Sequence, residues 1–417
     1  MRGRTWSRRW RRAGRRSRRL MVALGVTVFA LAGAGTVLAD VWGGGNDNPW
    51  PYNDPGPAPV VAAVGDIACQ PGSPVEKEKQ SDVCDTTGQG DTTRMSAQTA
   101  TANQIEAMQP NLVAILGDEQ YQVGRYQDFM GSFDHTYGAF KFLQRPSPGN
   151  HEFYTSHGET GDNGYGYFDY YNGYQLDPAG NPVTHTFPDA ADPNTFTQPV
   201  PRPAGQAGQF GTAGDGWYSY NLGAWHIISL NAECATQPGG CSPTGSWVQA
   251  QTQWLAQDLR ENRAMCTMAY WHQPTFSSTN PVSSSPVPTP GSAEGTVADA
   301  WWKLLYAHHA DLVLNGHEHL YARFAPMDPA GNADPRNGIS EFIVGTGGEG
   351  LDTVTPSTPN LRAWADQYYG TMKLTLAPGG YRWDYESALR SSTAPAGTPA
   401  SYSDTGSARC HGGGREY

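Results

Sequence analysis

The sequence predicts a layered α/β domain, an α/β/β/α sandwich in which two mixed sheets pack face to face between helices. Apolar runs of about five residues, the kind that fill buried strands, alternate with stretches whose apolar residues recur at helical spacing. Hairpin signals interrupt that alternation, so parallel and antiparallel neighbours must share the sheets. Chemistry-bearing residues follow the strand ends, where α/β sheets hold their ligands.

Val60–Val64 is a short apolar run stopped by Gly65, a buried strand opening into a loop. Residues 94–108 carry Met95, Ala102, Ile105 and Met108 at near-helical spacing and stop before Pro110, which ends a helix. Leu112–Leu116 repeats the pattern of strand then glycine, and a helix is expected near 126–142. Residues 217–219 and 225–230 flank Asn221-Leu222-Gly223 as a hairpin. An amphipathic helix follows over 246–262 through Trp247, Ala250, Trp254, Leu255 and Leu259. Then come a strand at 267–271, a helix at 297–308 and a strand at 312–314, while 341–344, 372–376 and 381–385 add sheet. The main domain so read covers 59–390, with a Gly- and Tyr-rich insertion at 155–216. There Tyr165, Tyr167, Phe168, Tyr170 and Tyr171 pack the loop onto the domain more readily than they stack a substrate. Residues 40–58 read as a linker and 391–417 as a low-complexity tail tethered only by Cys410.

The segment 1–39 reads as a signal peptide. Ten arginines lie between Arg2 and Arg19, and an uncharged apolar stretch then ends in Val37-Leu38-Ala39, small residues where a signal peptidase cuts. Arg18-Arg19 ahead of the apolar stretch suits a twin-arginine signal. A Sec signal with a long basic start, or an uncleaved anchor of about 20 residues, are the alternatives. The expected location is secreted or extracytoplasmic, including the cell envelope. The net charge is −11; the ten leader arginines stand with no acid before Asp40, so −11 less 10 leaves −21 for the rest. So acidic a surface repels nucleic acid and anionic membranes, which argues against both as partners once the leader is cut. Affinity for an anion must then come from a local positive charge, such as a metal ion. Six cysteines outside the cytoplasm favour disulfides: proximity suggests Cys69–Cys84 and Cys234–Cys241, leaving Cys266–Cys410 to pin the tail. No two of them form Cys-x-x-Cys, so a zinc–thiolate site is the weaker reading.

Five blocks carry the chemistry: Gly65-Asp66-Ile67-Ala68, Gly117-Asp118-Glu119-Gln120-Tyr121, Gly149-Asn150-His151-Glu152, Ala269-Tyr270-Trp271-His272 and Gly316-His317-Glu318-His319. Singly each has a bland reading, since Gly-Asp pairs mark turns and a lone strand histidine is usually a satisfied core residue. Only the last block stands out, because imidazoles at i and i+2 share one side of an extended chain. Together the blocks offer oxygen and nitrogen donors without thiolate, the set that hard or borderline metal ions take.

In series, the five blocks resemble the calcineurin-like metallophosphoesterase superfamily and, within it, the purple acid phosphatases, over residues 59–350. The wider superfamily has a metal-binding histidine where this chain has Ala68; Tyr121 stands where the purple acid phosphatases carry an iron-binding tyrosine. The resemblance implies the metallophosphoesterase sandwich and two metal ions, Fe(III) plus a divalent Fe, Zn or Mn. It gives Asp66, Tyr121 and His319 to the trivalent ion, Asn150, His272 and His317 to the divalent one, and Asp118 to both. His151 matches the family's substrate-contacting histidine, with a structural histidine as the alternative. Residues 273–285 lack the further substrate histidines of plant members, which leaves Gln273 as a candidate phosphate contact. The implied activity is hydrolysis of small phosphomonoesters by a metal-bound hydroxide. A phosphodiesterase or nucleotidase on the same metals is one alternative, and a metal-dependent binding protein without turnover is another.

Overall fold

The computed structural model describes residues 57–69, 96–156, 159–160, 164–187, 196–202, 210–211, 214–279 and 293–414. The expected signal peptide, nearly all of the linker at 40–58, and Cys84 lie outside the described residues.

The first part of the chain supplies β1 (Val60–Val64), β2 (Leu112–Leu116) and β3 (Gln144–Ser147). Two small hairpins follow, β4 (Tyr154–Ser156) with β5 (Glu159–Thr160) and β6 (Thr184–Phe187) with β7 (Phe196–Pro199). Next come β8 (Tyr218–Leu222), β9 (Trp225–Ser229), β10 (Cys266–Tyr270), β11 (Leu312–Asn315), β12 (Tyr321–Phe324), β13 (Ser340–Val344) and β14 (Leu361–Ala365). The chain closes with β15 (Tyr368–Ala377), β16 (Gly380–Arg390) and β17 (Ser403–Arg409). Four longer helices are α1 (Ala97–Met108), α2 (Tyr165–Asn172), α3 (Ser246–Glu261) and α4 (Ala293–Ala307).

One sheet runs β17-β16-β15-β1-β2-β3 and the other β14-β12-β13-β11-β10-β9-β8. In the first, β1, β2 and β3 are parallel; in the second, β9, β10, β11 and β13 are. Antiparallel strands flank both parallel sets, so both sheets are mixed.

Strand alternation divides the apolar side chains among three cores. Val61 and Ala63 face inward to meet Met268, Leu312, Leu314 and Phe342 between the sheets. Ala62 and Val64 face outward against Ala102 and Ile105 of α1 and the aromatics Phe129, Phe133 and Tyr167. On the far side, Ile228, Ala269, Val313 and Ile343 pack under Trp247 and Leu255 of α3 and Trp301 and Leu305 of α4. The expected four layers are present.

The helices begin and end for local reasons. Ser96 caps α1 by accepting the Thr99 N–H at 3.2 Å, and the helix stops at Gln109 in the left-handed region before Pro110. On α3, Trp247, Gln251, Leu255 and Leu259 form one buried stripe at four-residue spacing. Gln251 in that stripe clamps the chain after β9, accepting Asn231 N–H and donating to its carbonyl, both at 2.8 Å.

Two expectations need correction. Residues 126–142 form no single helix but a chain of short α, π and 3-10 turns from Tyr126 to Leu143. Gly131 and Gly138 weaken a regular helix, and packing of Phe129, Phe133, Tyr137 and Phe140 decides the path. The stretch 391–417 is no loose tail. Its Ser403–Arg409 segment pairs with β16 from Glu386↔Ser403 to Gly380↔Arg409, and Cys410 bonds Cys266. This edge strand exposes alternate polar residues, so no apolar run announced it. The strands β3, β12 and β14 were likewise unmarked in sequence, being short and set by their partners. The Cys234–Cys241 and Cys266–Cys410 bonds match the expected pairs.

Candidate metal centre

Every donor named from the sequence lies a few residues past the carboxyl end of a parallel strand or a following turn. Asp66 follows β1, Asp118 follows β2, Asn150 follows β3, His272 follows β10, and His317 and His319 follow β11. Parallel register lines these positions up, because Val64 pairs Ile115, Leu116 pairs Ser147 and Tyr270 pairs Leu314. Past the strands the pairing continues: Ile67 N–H reaches Asp118 O at 2.9 Å and Tyr121 N–H reaches Ala68 O at 2.7 Å. That places Tyr121 beside the Ala68 position. The two sheets are stitched at this end, with Gly65 N–H donating to Val344 O at 2.9 Å.

The turns are tight. Asp66 (φ 61°), Asp118 (φ 49°) and His317 (φ 69°) occupy the left-handed region, which costs a residue with a side chain about 1–3 kcal/mol. Gly117 (φ 87°) precedes Asp118, and a methyl there would sit 2.4 Å from His272 Nδ1.

Seven side-chain atoms form two groups sharing Asp118 Oδ2. In the first, Tyr121 Oη lies 2.8 Å from Asp66 Oδ1, 2.9 Å from Asp118 Oδ2 and 3.1 Å from His319 Nε2. In the second, His272 Nε2 lies 3.1 Å from Asp118 Oδ2, Asn150 Oδ1 and His317 Nδ1, and His317 Nδ1 lies 3.1 Å from Asn150 Oδ1. Asp66, Asp118, Tyr121 and His272 are buried; Asn150, His151, His317 and His319 are half-buried and form the open side.

Backbone carbonyls fix two ring orientations. His272 Nδ1 lies 2.8 Å from Leu116 O and His319 Nδ1 2.7 Å from Gly350 O. A carbonyl only accepts, so each Nδ1 carries the proton and, in the neutral ring, each Nε2 turns a lone pair inward. These residues suit a pair of cations. Ring nitrogens 3.1 Å apart, with an amide oxygen equally near both, can share one proton at most, whereas all three lone pairs can meet on one ion. Edges near 3 Å are also what donors held at about 2.0–2.2 Å would span.

Without an ion, protons take up the negative charge. Burial works against protonating His272 and His319, but Asp118 beside the first and Asp66 beside the second carry both up to about 10. Burial would also raise Asp118, yet the imidazoles of His272 and His151 outweigh it and hold the carboxyl well below its usual range. His317 is held well below its ordinary value, by burial and then by His272. Tyr121 is pushed well above its own, by burial and then by Asp118 and Asp66.

His151 stands at the rim. Its Nδ1 donates to Gln122 O at 2.7 Å, and its Nε2 lies 3.8 Å from Asp118 Oδ2. Gln273 does not fit the role expected of it. It is buried and its amide donates to Glu233, because the loop after His272 turns it into the protein.

Sequence reasoning overlooked the buried carboxylates that shape the loops. Glu152 accepts from the N–H groups of Gly149 (2.8 Å), Asp118 (3.0 Å) and Gln120 (3.2 Å). Glu318 accepts from Ser278 N–H at 3.0 Å and Ser278 Oγ at 2.8 Å, binding the loop after His272 to the one after β11. Alternation was a usable signal here: between two inward histidines, Glu318 must face the other way.

No protein-family model matches this chain. Purple acid phosphatase 15 of Arabidopsis thaliana is 28% identical over 167 residues, 38% of this chain and 27% of that protein. The chain thus spans about a quarter of the length of the curated relatives it matches. Among solved structures, a purple acid phosphatase from yellow lupin (Lupinus luteus) seeds superposes with a TM-score of 0.50 at 16% identity, over 83% of this chain and 53% of that one. A structure of PhoD superposes with a TM-score of 0.51 at 13% identity, over 85% and 70% of the two chains. Sheet order, layering and these superpositions agree: the chain has the calcineurin-like metallophosphoesterase fold.

Proposed function

We propose that this chain is an exported metallophosphoesterase that hydrolyses small phosphate monoesters with two ions held at the strand ends. The carrying observation is the convergence of seven donor atoms into two groups with Asp118 Oδ2 in common. Export is supported by the leader and by two disulfides.

Asp66, Asp118, Tyr121 and His319 would hold Fe(III), and Asp118, Asn150, His272 and His317 a divalent Fe, Zn or Mn. Tyr121 favours iron in the first group. Its buried phenol donates to Asp66 and resists ionisation, so only a strongly polarising ion displaces that proton. Together the ions would supply the positive charge that an acidic chain lacks, attracting a phosphate ester and activating water toward phosphorus.

The chain's own residues orient and move protons. Asp118 Oδ1 accepts the His151 N–H at 2.9 Å, leaving Oδ2 for both groups, and Asp66 Oδ2 accepts the His317 N–H at 2.9 Å. His151 presents Nε2 at the rim. Burial, ahead of the opposing pull of Asp118, holds it below its ordinary value. In its protonated form it is placed to deliver a proton to a leaving oxygen at the rim.

The test pairs elemental analysis with matched aryl monoesters and diesters. Two metal equivalents per chain, preference for the monoester, and a visible charge-transfer band removed by Tyr121→Phe are expected. His151→Ala should keep both ions while losing roughly 100- to 10,000-fold in rate. Fewer than two ions, or no turnover of either ester, overturns the reading; a colourless, fully active zinc or manganese protein overturns the iron.

A further inference from the structure

Asn150 is the one amide among the seven donors, and an amide has only one atom fit to face a cation. A carboxylate can turn about its terminal torsion and still present an oxygen; an amide turned the same way presents N–H groups. Its plane therefore has to be held. Asn150 Nδ2 donates to Tyr154 Oη at 2.9 Å while Asn150 Oδ1 stands 3.1 Å from both His272 Nε2 and His317 Nδ1. Tyr154 lies four residues on, just past the 3-10 turn Asn150–Phe153, so its ring folds back over that turn. The same ring flanks His151, with centroids 4.9 Å apart, and His151 in turn lies 4.2 Å from the ring of Tyr121. Tyr154 is half-buried, at the open side of the pocket.

From this geometry we infer that Tyr154 is a positioning residue with two separable jobs: its hydroxyl aims the Asn150 oxygen at the second ion, and its ring holds His151 over the pocket. The inference rests on the two-ion reading above. The hydroxyl acts on metal affinity, because a hydrogen bond that orients a ligand strengthens the site it belongs to. The ring acts on turnover, because His151 is the residue that meets the substrate.

Two variants separate these jobs. Tyr154→Phe removes the hydroxyl and keeps the ring; Tyr154→Ala removes both. Zn(II) is titrated calorimetrically into metal-free wild-type and variant protein, and bound metal is counted after dialysis. For Tyr154→Phe, one of the two binding events should lose about 10-fold or more in affinity while the other stays within a factor of two or so. Excess Zn(II) should then bring its kcat with aryl phosphate to that of wild-type protein loaded with Zn(II) in the same way. For Tyr154→Ala the same affinity loss should occur, but kcat should stay low at any Zn(II) concentration. A general loss of folding would weaken both ions together and lower the melting temperature of the metal-free protein, which is measured alongside. Unchanged affinity in Tyr154→Phe, or equal loss at both sites, overturns the inference. Wild-type protein that takes up fewer than two ions overturns the two-ion reading itself, a different and recognisable failure.

Discussion

Glu119 and Glu152 interact behind Asp118, and both are wholly buried. Burial is the main reason both carboxyls lie above their ordinary range; negative neighbours add to it, and Glu152 reaches about 8. Glu152 accepts three backbone N–H groups, whereas the Glu119 carboxyl has no hydrogen-bond partner among the described residues and is disfavoured as an anion by burial. Glu119→Gln keeps a neutral side chain of the same size and should fold and bind metal much as before. Glu152→Gln turns an amino group onto N–H donors and should cost about 1–3 kcal/mol in urea unfolding. The sign with pH follows from linkage. Between 4.5 and about 8 the folded chain binds more protons here than the unfolded chain, so the metal-free protein should lose stability as pH rises through that window. His272 and His319 act in the same direction, since their folded values of about 10 exceed the ordinary 6.5; His317 and His151, held below theirs, oppose it, and the buried carboxyls set the net sign. A metal-free melting temperature that climbs from pH 5 to pH 8 would contradict this account.

At the scale of elements, the site is a property of strand ends. Three strands of one sheet bring Asp66, Asp118 and Asn150, and two strands of the other bring His272, His317 and His319. Neither sheet alone holds both groups. The loops must approach one another more closely than side chains allow, which is why glycine precedes Asp66, Asp118, Asn150 and His317. At Gly149 a methyl would lie 2.2 Å from Asp118 Oδ1 and 2.4 Å from Asp118 N. Gly149→Ala should therefore push Asp118 out of place, at a cost of about 1–3 kcal/mol in stability. It should lose both metal equivalents on dialysis. Retention of two ions by that variant would show that Asp118 does not join the groups.

For the molecule as a whole, the Cys266–Cys410 bond spans 144 residues and fastens the edge of one sheet to the start of β10 in the other. It lies at the opposite end of β10 from His272. Replacing both cysteines with serine should lower stability by about 3–5 kcal/mol in the chain-entropy view, with metal content and kcat unchanged at low temperature. Equal unfolding midpoints for oxidised and serine forms would mean that pairing of β16 with β17 alone secures this end. Among the described residues no helix is long and apolar enough to cross a membrane.

Sequence alone determined the inventory of this protein. Val60–Val64 and Leu112–Leu116 are legible because a buried strand needs an unbroken apolar run, and the donors are legible because they directly follow such runs. The low-complexity look of 403–409 hid an edge strand, since a polar segment becomes a strand only when a partner offers its hydrogen bonds. The surroundings of the donors were equally hidden. That Gln273 turns inward to Glu233, that Glu119 and Glu152 form a pair, and that Tyr154 reaches Asn150 all depend on distances between loops. Spacing along the chain says which atoms are available. Only the packing of two sheets decides which of them meet, because hydrogen bonding and burial act across space and leave no periodic mark in the order of residues.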